Sequence, residues 1–207
     1  QRFELREARL SGHPWSLPAD TGDMTRLDLA WAACPRATFL PRAQRRAASR
    51  DTPVPIGHGQ TNSQPSTVRR MLEELDVQVG HRVLDVGSGS GWTTALLAHL
   101  VGPDGWVLGV ERVPALVASG AAVLADLGMP WATIRPAAPG VLGAPELAPY
   151  DRILVSAMAS KIPADLLAQL GPAGIMVIPA DGALWRVTPN GAPTRLGSYR
   201  FVPLVLD

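Results

Sequence analysis

The chain has one cysteine, Cys34, in 207 residues. That excludes an internal disulfide and a multi-thiolate metal site, and it is compatible with a reducing cytoplasm. Histidine is nearly as scarce. The four, His13, His58, His81 and His99, are scattered with no H-E-x-x-H or comparable spacing, so no metal is expected. An excess of either charge is also missing. Lys plus Arg number 19 against 18 Asp plus Glu, which gives no electrostatic case for a nucleic acid or membrane partner. The one basic cluster, "RAQRRAASR" with Arg45 and Arg46, reads as a solvated helix face. No apolar run is long enough to cross a membrane without Pro, Gly or charge, and the first residues carry no secretory core.

What is present is enough apolar material, 46% of residues, for one domain with a sizeable core. The 20 prolines fall largely between apolar runs, in "TPVPIG" and "APELAPY" for example, where they punctuate turns. Residues 1–22 show no sustained period, and "SGHPWSLP" reads as a loop. Apolar residues at helical spacing place a short helix in "TRLDLAWAACPRATFL", ending near Pro35 and leaving Cys34 buried at its end. "PRAQRR" opens another. "TPVPIGHGQTNSQPS" reads as irregular throughout, and "PSTVRRMLEELDV" as a helix entered at Pro65 or Ser66.

From residue 82 the pattern alternates. "RVLDV", "WVLGVE", "WATIR", "DRILVSA" and "GIMVIP" read as strands separated by helices at 91–100, "PALVASGAAVLADLG" and "IPADLLAQL". "ALWRV" and "YRFVPLVL" read as two closing strands. Strand–helix repetition of this kind gives an α/β fold: a mostly parallel seven-stranded sheet with helices on both faces. The turn at "PNGAP" adds an antiparallel hairpin at one edge. The expected organisation is a single domain over 1–207, with N-terminal helices and a covering loop in 1–66 and the α/β core in 67–207.

In such sheets ligands bind beyond the carboxyl ends of the strands. Val86 ends the first core strand, and Gly87-Ser88-Gly89-Ser90-Gly91 follows it. Glu111 ends the next strand about twenty residues on, where a carboxylate can accept two ribose hydroxyls and has little evident structural purpose. Nicotinamide and S-adenosylmethionine enzymes share this arrangement. Two details favour the second. The glycines do not follow G-x-G-x-x-G, and Asp85, just before them, would repel a pyrophosphate while suiting a sulfonium or ammonium. A P-loop is excluded because no Lys-Ser/Thr follows.

"VLDVGSGSGW" resembles the first motif of Rossmann-like methyltransferases. With "PRATFLP", "PIGHGQTNSQP", "YDRILVSA", "IPADLLAQLGPAG" and "YRFVPL", in order from about residue 28 to 204, the chain resembles the protein-L-isoaspartate O-methyltransferase family. The resemblance implies methyl transfer from S-adenosylmethionine, leaving S-adenosyl-L-homocysteine, to the free carboxylate of isoaspartyl residues in proteins or peptides, by a monomer. It makes Thr61, Asn62, Ser63, Gln64 and Pro65 a loop over the junction of cofactor and substrate, with Ser63 in the place of the family's active-site serine. Gly87, Ser88, Gly89, Gly91, Trp92, Glu111 and Arg112 fall on the cofactor side, with Asp85 beside them. His58, Gln60, Gln64, Phe201 and Val202 fall on the peptide side.

Three departures stand out. Asn62 replaces an apolar residue and Trp92 a tyrosine. "RPAAPG" puts Ala137 at or beside an acidic residue that contacts the adenine amine. Asn62 and the altered adenine-side segment permit one other reading, an aspartate O-methyltransferase tailoring a ribosomally made peptide. A second, a non-catalytic S-adenosylmethionine-binding interaction protein, is opposed by the intact Ser63, Glu111 and glycine loop.

Overall fold

A computed structural model describes residues 24–205. The loop read in "SGHPWSLP", with His13 and Trp15, lies outside the described residues. The chain enters through helix α1 (Arg26–Ala33), closed at its start by a Thr25–Asp28 capping box. Two 3₁₀ turns follow at Arg36–Phe39 and Arg42–Ala47, the second where "PRAQRR" suggested a helix. Next comes an antiparallel hairpin of β1 (Val54–Gly57) and β2 (Gln60–Asn62), in a stretch that reads as irregular. Its two-residue turn has positive φ at both His58 (55°) and Gly59 (72°), as a type I′ hairpin requires. Pro55 and Gly57 hide the strand in the sequence, although Val54 and Ile56 alternate inward with exposed neighbours.

Helix α2 (Pro65–Leu75) buries Val68, Met71, Leu72 and Leu75, one face at helical spacing. Its C-terminal carbonyls are met by arginines of the sheet. Arg186 Nε donates to Glu74 O at 3.0 Å and Arg152 Nε to Asp76 O at 3.0 Å.

The core alternates β3 (Arg82–Val86), α3 (Trp92–Val101), β4 (Trp106–Glu111), α4 (Pro114–Asp126), β5 (Ala132–Pro136), β6 (Tyr150–Val155), the one-turn α5 (Ala164–Leu167) and β7 (Leu170–Ala180). It closes with β8 (Ala183–Val187) and β9 (Thr194–Ser198). The sheet order is β5-β4-β3-β6-β7-β8-β9, parallel from β5 to β7 and antiparallel at β7–β8 and β8–β9. The mostly parallel seven-stranded sheet and its antiparallel edge are as the pattern implied. Val83, Leu84 and Val86 are almost wholly buried. Each contributes about 1.5–3 kcal/mol relative to an exposed side chain. Nine of the ten α3 residues are buried as well, so this helix is apolar nearly all round.

Two further elements differ from expectation. "IPADLLAQL" yields only four helical residues, because Gln169 turns inward: its amide donates to Leu142 O and Asp165 O and accepts from Ala144 N. The last strand is the polar "TRLGS", not "YRFVPLVL". The apolar tail instead pairs with the loop after β6, where Met158 N donates to Val202 O and Leu204 N to Met158 O, each at 2.7 Å.

Candidate active site

Three spaces meet at the carboxyl ends of β3, β4 and β6. The first, about 200 Å³, lies over the glycine loop. Gly87, Gly89, Glu111 and Arg112 line it, with Ala137 and Leu142 on the apolar side. The second, about 520 Å³, is an open groove between the 61–67 segment and the 198–202 tail. The third is a cleft of about 30 Å³ under Ser63, walled by Ser88, Ser90 and Trp92, and it carries no charged side chain. That is room for a small group rather than for bulk water.

The glycines of the loop do different work. Gly87 and Gly89, at φ of 76° and 55°, face the first space. Gly91 faces protein instead: a Cβ there would stand 2.8 Å from Ile134 Cδ1 and 3.2 Å from Gly120 Cα. Its small size lets α3 start hard against α4.

Glu111 lines the first space and is 5% exposed. Contrary to the sequence argument it has a structural task. One carboxylate oxygen accepts Gly89 N–H and the other Val113 N–H, both at 2.9 Å, which ties the glycine loop to the end of β4. A carboxylate has roughly four lone-pair sites, so acceptor capacity remains for a diol. Asp85 is fully buried and lines none of the three spaces. Its Oδ2 accepts both the Thr93 and Thr94 hydroxyls at 2.7 Å, while Oδ1 has no partner. Burial pushes its carboxyl up to about 6, the nearby Glu111 charge adds to the rise, and the two threonine hydroxyls oppose it.

Asn62 and Ser63 are set by a residue absent from the sequence reading. Arg36 is 6% exposed. Its Nε donates to Asn62 Oδ1 at 2.7 Å, one terminal nitrogen to Ala48 O (3.4 Å) and Arg50 O (2.9 Å). The other terminal nitrogen donates to Thr52 O (2.9 Å), Asn62 O (3.0 Å) and Ser63 O (2.9 Å). Five N–H groups thus serve six oxygens, so one proton is shared. The guanidinium also lies 5.4 Å from the Trp92 ring centroid. Asn62 in place of an apolar residue gives the Arg36 fork a side-chain acceptor. Its amide also reaches Ser90 Oγ at 3.4 Å. The signal in the sequence was the arginine of "PRATFLP", which has no acidic residue near it.

The N-terminus of α2 is capped from outside. Asp51 Oδ1 accepts Ser66 N–H at 2.8 Å and Oδ2 accepts the Gln64 amide at 3.0 Å. Ser63 is therefore not spent as a cap: among the described residues its hydroxyl makes no hydrogen bond. It stands where groove and cleft join.

Thr61, Gln64, Phe201 and Val202 line the groove, and Val202 reaches the first space too. Gln60 lines the first space rather than the groove. His58 sits exposed on the hairpin turn and lines none of the three. Trp92 is 2% exposed, donates to Cys34 O at 3.0 Å and meets Trp31 edge-on. Burial pushes the Cys34 thiol up to about 12, which leaves it inert. Ser156, at the end of β6, is a second residue that sequence reading missed; its position just past a parallel strand was the available clue.

A glycine loop after the first core strand, an acidic residue ending the second and an antiparallel edge define a Rossmann-like methyltransferase. The residues of the first space fit S-adenosylmethionine, with an apolar wall for a base and Glu111 for hydroxyls, and the adjoining cleft adds the buried Ser88 Oγ, which has no partner among the described residues. The family model described as Protein-L-isoaspartate(D-aspartate) O-methyltransferase (PCMT) matches residues 23–205, and the chain belongs to that family.

A relative named protein-L-isoaspartate O-methyltransferase from Ignicoccus hospitalis is 42% identical over 179 residues, 83% of this chain and 84% of the relative. One from Aeropyrum pernix is 49% identical over 150 residues, 72% of this chain and 58% of the relative's length. A Plasmodium falciparum structure described as a protein-L-isoaspartate O-methyltransferase in complex with S-adenosyl-L-homocysteine shares the fold. Its TM-score is 0.75 at 24% identity, over 99% of this chain and 96% of that one. No described helix is long and apolar enough to cross a membrane.

Proposed function

We propose that this chain transfers a methyl group from S-adenosylmethionine to the free carboxylate of isoaspartyl residues in proteins or peptides. On this reading it acts as a cytoplasmic monomer, and the methyl ester it forms can collapse to a succinimide. The observation that carries the reading is Ser63: an uncommitted hydroxyl where a peptide-sized groove meets the cleft beside the glycine loop.

The isoaspartyl carboxylate is ionised at neutral pH and needs no general base. When bound, the cofactor supplies an electrophilic methyl and a thioether leaving group. The protein's part is to strip water from the nucleophile and hold it in line. Ser63 donates a hydrogen bond to one carboxylate oxygen and leaves a lone pair free. It is not a covalent nucleophile, since no His–Asp arrangement is placed to activate it. Glu111 holds the cofactor's hydroxyls while fixing Gly89, so one carboxylate sets both ligand and loop. The narrow uncharged cleft excludes bulk water from the transfer path.

Ser63→Ala should lower single-turnover methylation of an isoaspartyl peptide by about 100-fold, the scale of a misaligned nucleophile. Affinity for S-adenosyl-L-homocysteine should stay nearly intact. Full activity in the folded variant would remove Ser63 from the mechanism. Methylation of the matching aspartyl peptide but not the isoaspartyl one would establish the peptide-tailoring reading instead.

A further inference from the structure

Among the described residues Ser156 is the one that lines all three spaces, the cofactor pocket, the cleft and the groove. Its backbone is fixed by the sheet. Val155 lies in register with Val86, and Ser156 N–H donates to Val86 O at 2.9 Å, next to the first glycine of the loop. Its side chain is half-buried, and the hydroxyl has no partner among the described residues. Ser63 reaches the same junction from the other side, on the loop that Arg36 holds.

We infer that Ser156 is a second catalytic residue, a hydroxyl that binds the isoaspartyl carboxylate opposite Ser63. The inference rests on the isoaspartyl reading above. A single donor holds one oxygen and leaves the carboxylate free to swing about its bond to Cα. Two donors from opposite walls fix its plane, so that one lone pair points down the cleft. The cleft suits that task because its other polar groups are neutral, the arginines of the groove, Arg70 and Arg200, lying outside its lining. A full positive charge there would bind the ground-state carboxylate tightly and blunt its attack. Hydroxyl dipoles orient it at smaller cost to nucleophilicity. The two serines also come from unlike supports, the carboxyl end of a central strand and a side-chain-braced loop. Relative movement of the loop would therefore register directly as misalignment.

The test measures single-turnover methylation of an isoaspartyl peptide and calorimetric affinity for S-adenosyl-L-homocysteine, in wild type, Ser156→Ala, Ser156→Thr and the Ser63→Ala/Ser156→Ala double variant. Ser156→Ala should lose about tenfold or more in rate while cofactor affinity stays within about twofold. Ser156→Thr, which keeps the hydroxyl, should recover most of the rate. In the Ser63→Ala background the second substitution should cost much less than it does alone, because the carboxylate is already loose. A wild-type rate in Ser156→Ala overturns the assignment. So does a loss of cofactor affinity that matches the loss of rate, since the hydroxyl would then serve the cofactor. A wild-type protein inactive on the isoaspartyl peptide overturns the underlying reading, and that result is distinct from either.

Discussion

The two walls of the junction are built in different ways. On the cofactor side, β3, β4 and their loops hold each other through main-chain register, and Glu111 adds a side-chain tie to Gly89 and Val113. On the peptide side, residues 34–66 contain two 3₁₀ turns, a short hairpin and connecting loops whose carbonyls have few backbone partners. Arg36 and Asp51 take over, one donating to carbonyls from Ala48 to Ser63 and the other capping α2. One wall is a property of the sheet. The other depends on two side chains, and it is the wall that must admit a polymer of varied sequence. Irregular backbone braced by side chains can present carbonyls and hydroxyls toward a groove, which a paired strand cannot do with the same freedom.

The sharpest way to break that contrast is at Arg36. Arg36→Ala would leave six oxygens without their donor. A hydrogen bond to a charged group is worth about 1.5–3 kcal/mol net, so losing several at once should cost at least about 3 kcal/mol. Thermal unfolding should fall accordingly, and Arg36→Lys should recover little, because an ammonium cannot reproduce the planar fork. Below the unfolding transition, peptide methylation should fall by far more than cofactor affinity. If both fell together, the two walls would not be separately held.

The cofactor wall has its own weak point in Asp85, and there the probe is pH. Its folded pKa is raised from 3.8 to about 6, so the folded state prefers the neutral acid. The stabilisation from that preference is complete below the unfolded pKa and is lost as pH rises through about 6. The loss is on the order of 3 kcal/mol. Asp85→Asn keeps an oxygen for the Thr93 and Thr94 hydroxyls but cannot ionise. Between pH 4 and pH 7 the melting temperature of wild type should therefore drop relative to that of the variant. Parallel profiles would show that Asp85 is not held neutral by burial.

The same contrast explains what could be read in advance. Four of the five parallel strands announce themselves because burial on both faces demands apolar runs, while β5 at the sheet edge alternates buried and exposed residues, and the glycine loop is legible because its backbone demands glycine. Val54–Asn62 escaped notice as a hairpin since Pro55 and Gly57 are strand breakers, and only the turn geometry at His58-Gly59 makes the pairing possible. "YRFVPLVL" misled in the opposite direction. Its apolar, β-branched content suits a strand, but the segment spends it on the groove wall and on pairing with Met158. The only mark of Arg36 in the sequence is that it has no acidic neighbour, since the carbonyls it serves lie 12 to 27 residues away. Glu111 was found for its ligand role, while its backbone bonds depend on a loop 22 residues upstream.

The smallest expected effect lies where the cofactor wall has lost a side chain. Ala137 lines the first space just past β5, and its N–H is already given to Glu111 O at 2.9 Å. An adenine amine placed there would meet backbone or water rather than a carboxylate. Ala137→Asp would add an acceptor, and a hydrogen bond of this kind is worth about 0.5–1.5 kcal/mol net. The new carboxylate would also lie near Glu111, whose like charge takes back part of the gain. Ala137→Asn supplies a neutral acceptor without that repulsion. Calorimetry with S-adenosyl-L-homocysteine should show both variants binding more tightly, by a few-fold at most, with Asp gaining on Asn as salt screens the repulsion. Unchanged affinity in both folded variants would mean that the amine's partner lies elsewhere on the wall, and that residue 137 does not stand where the family places its acid.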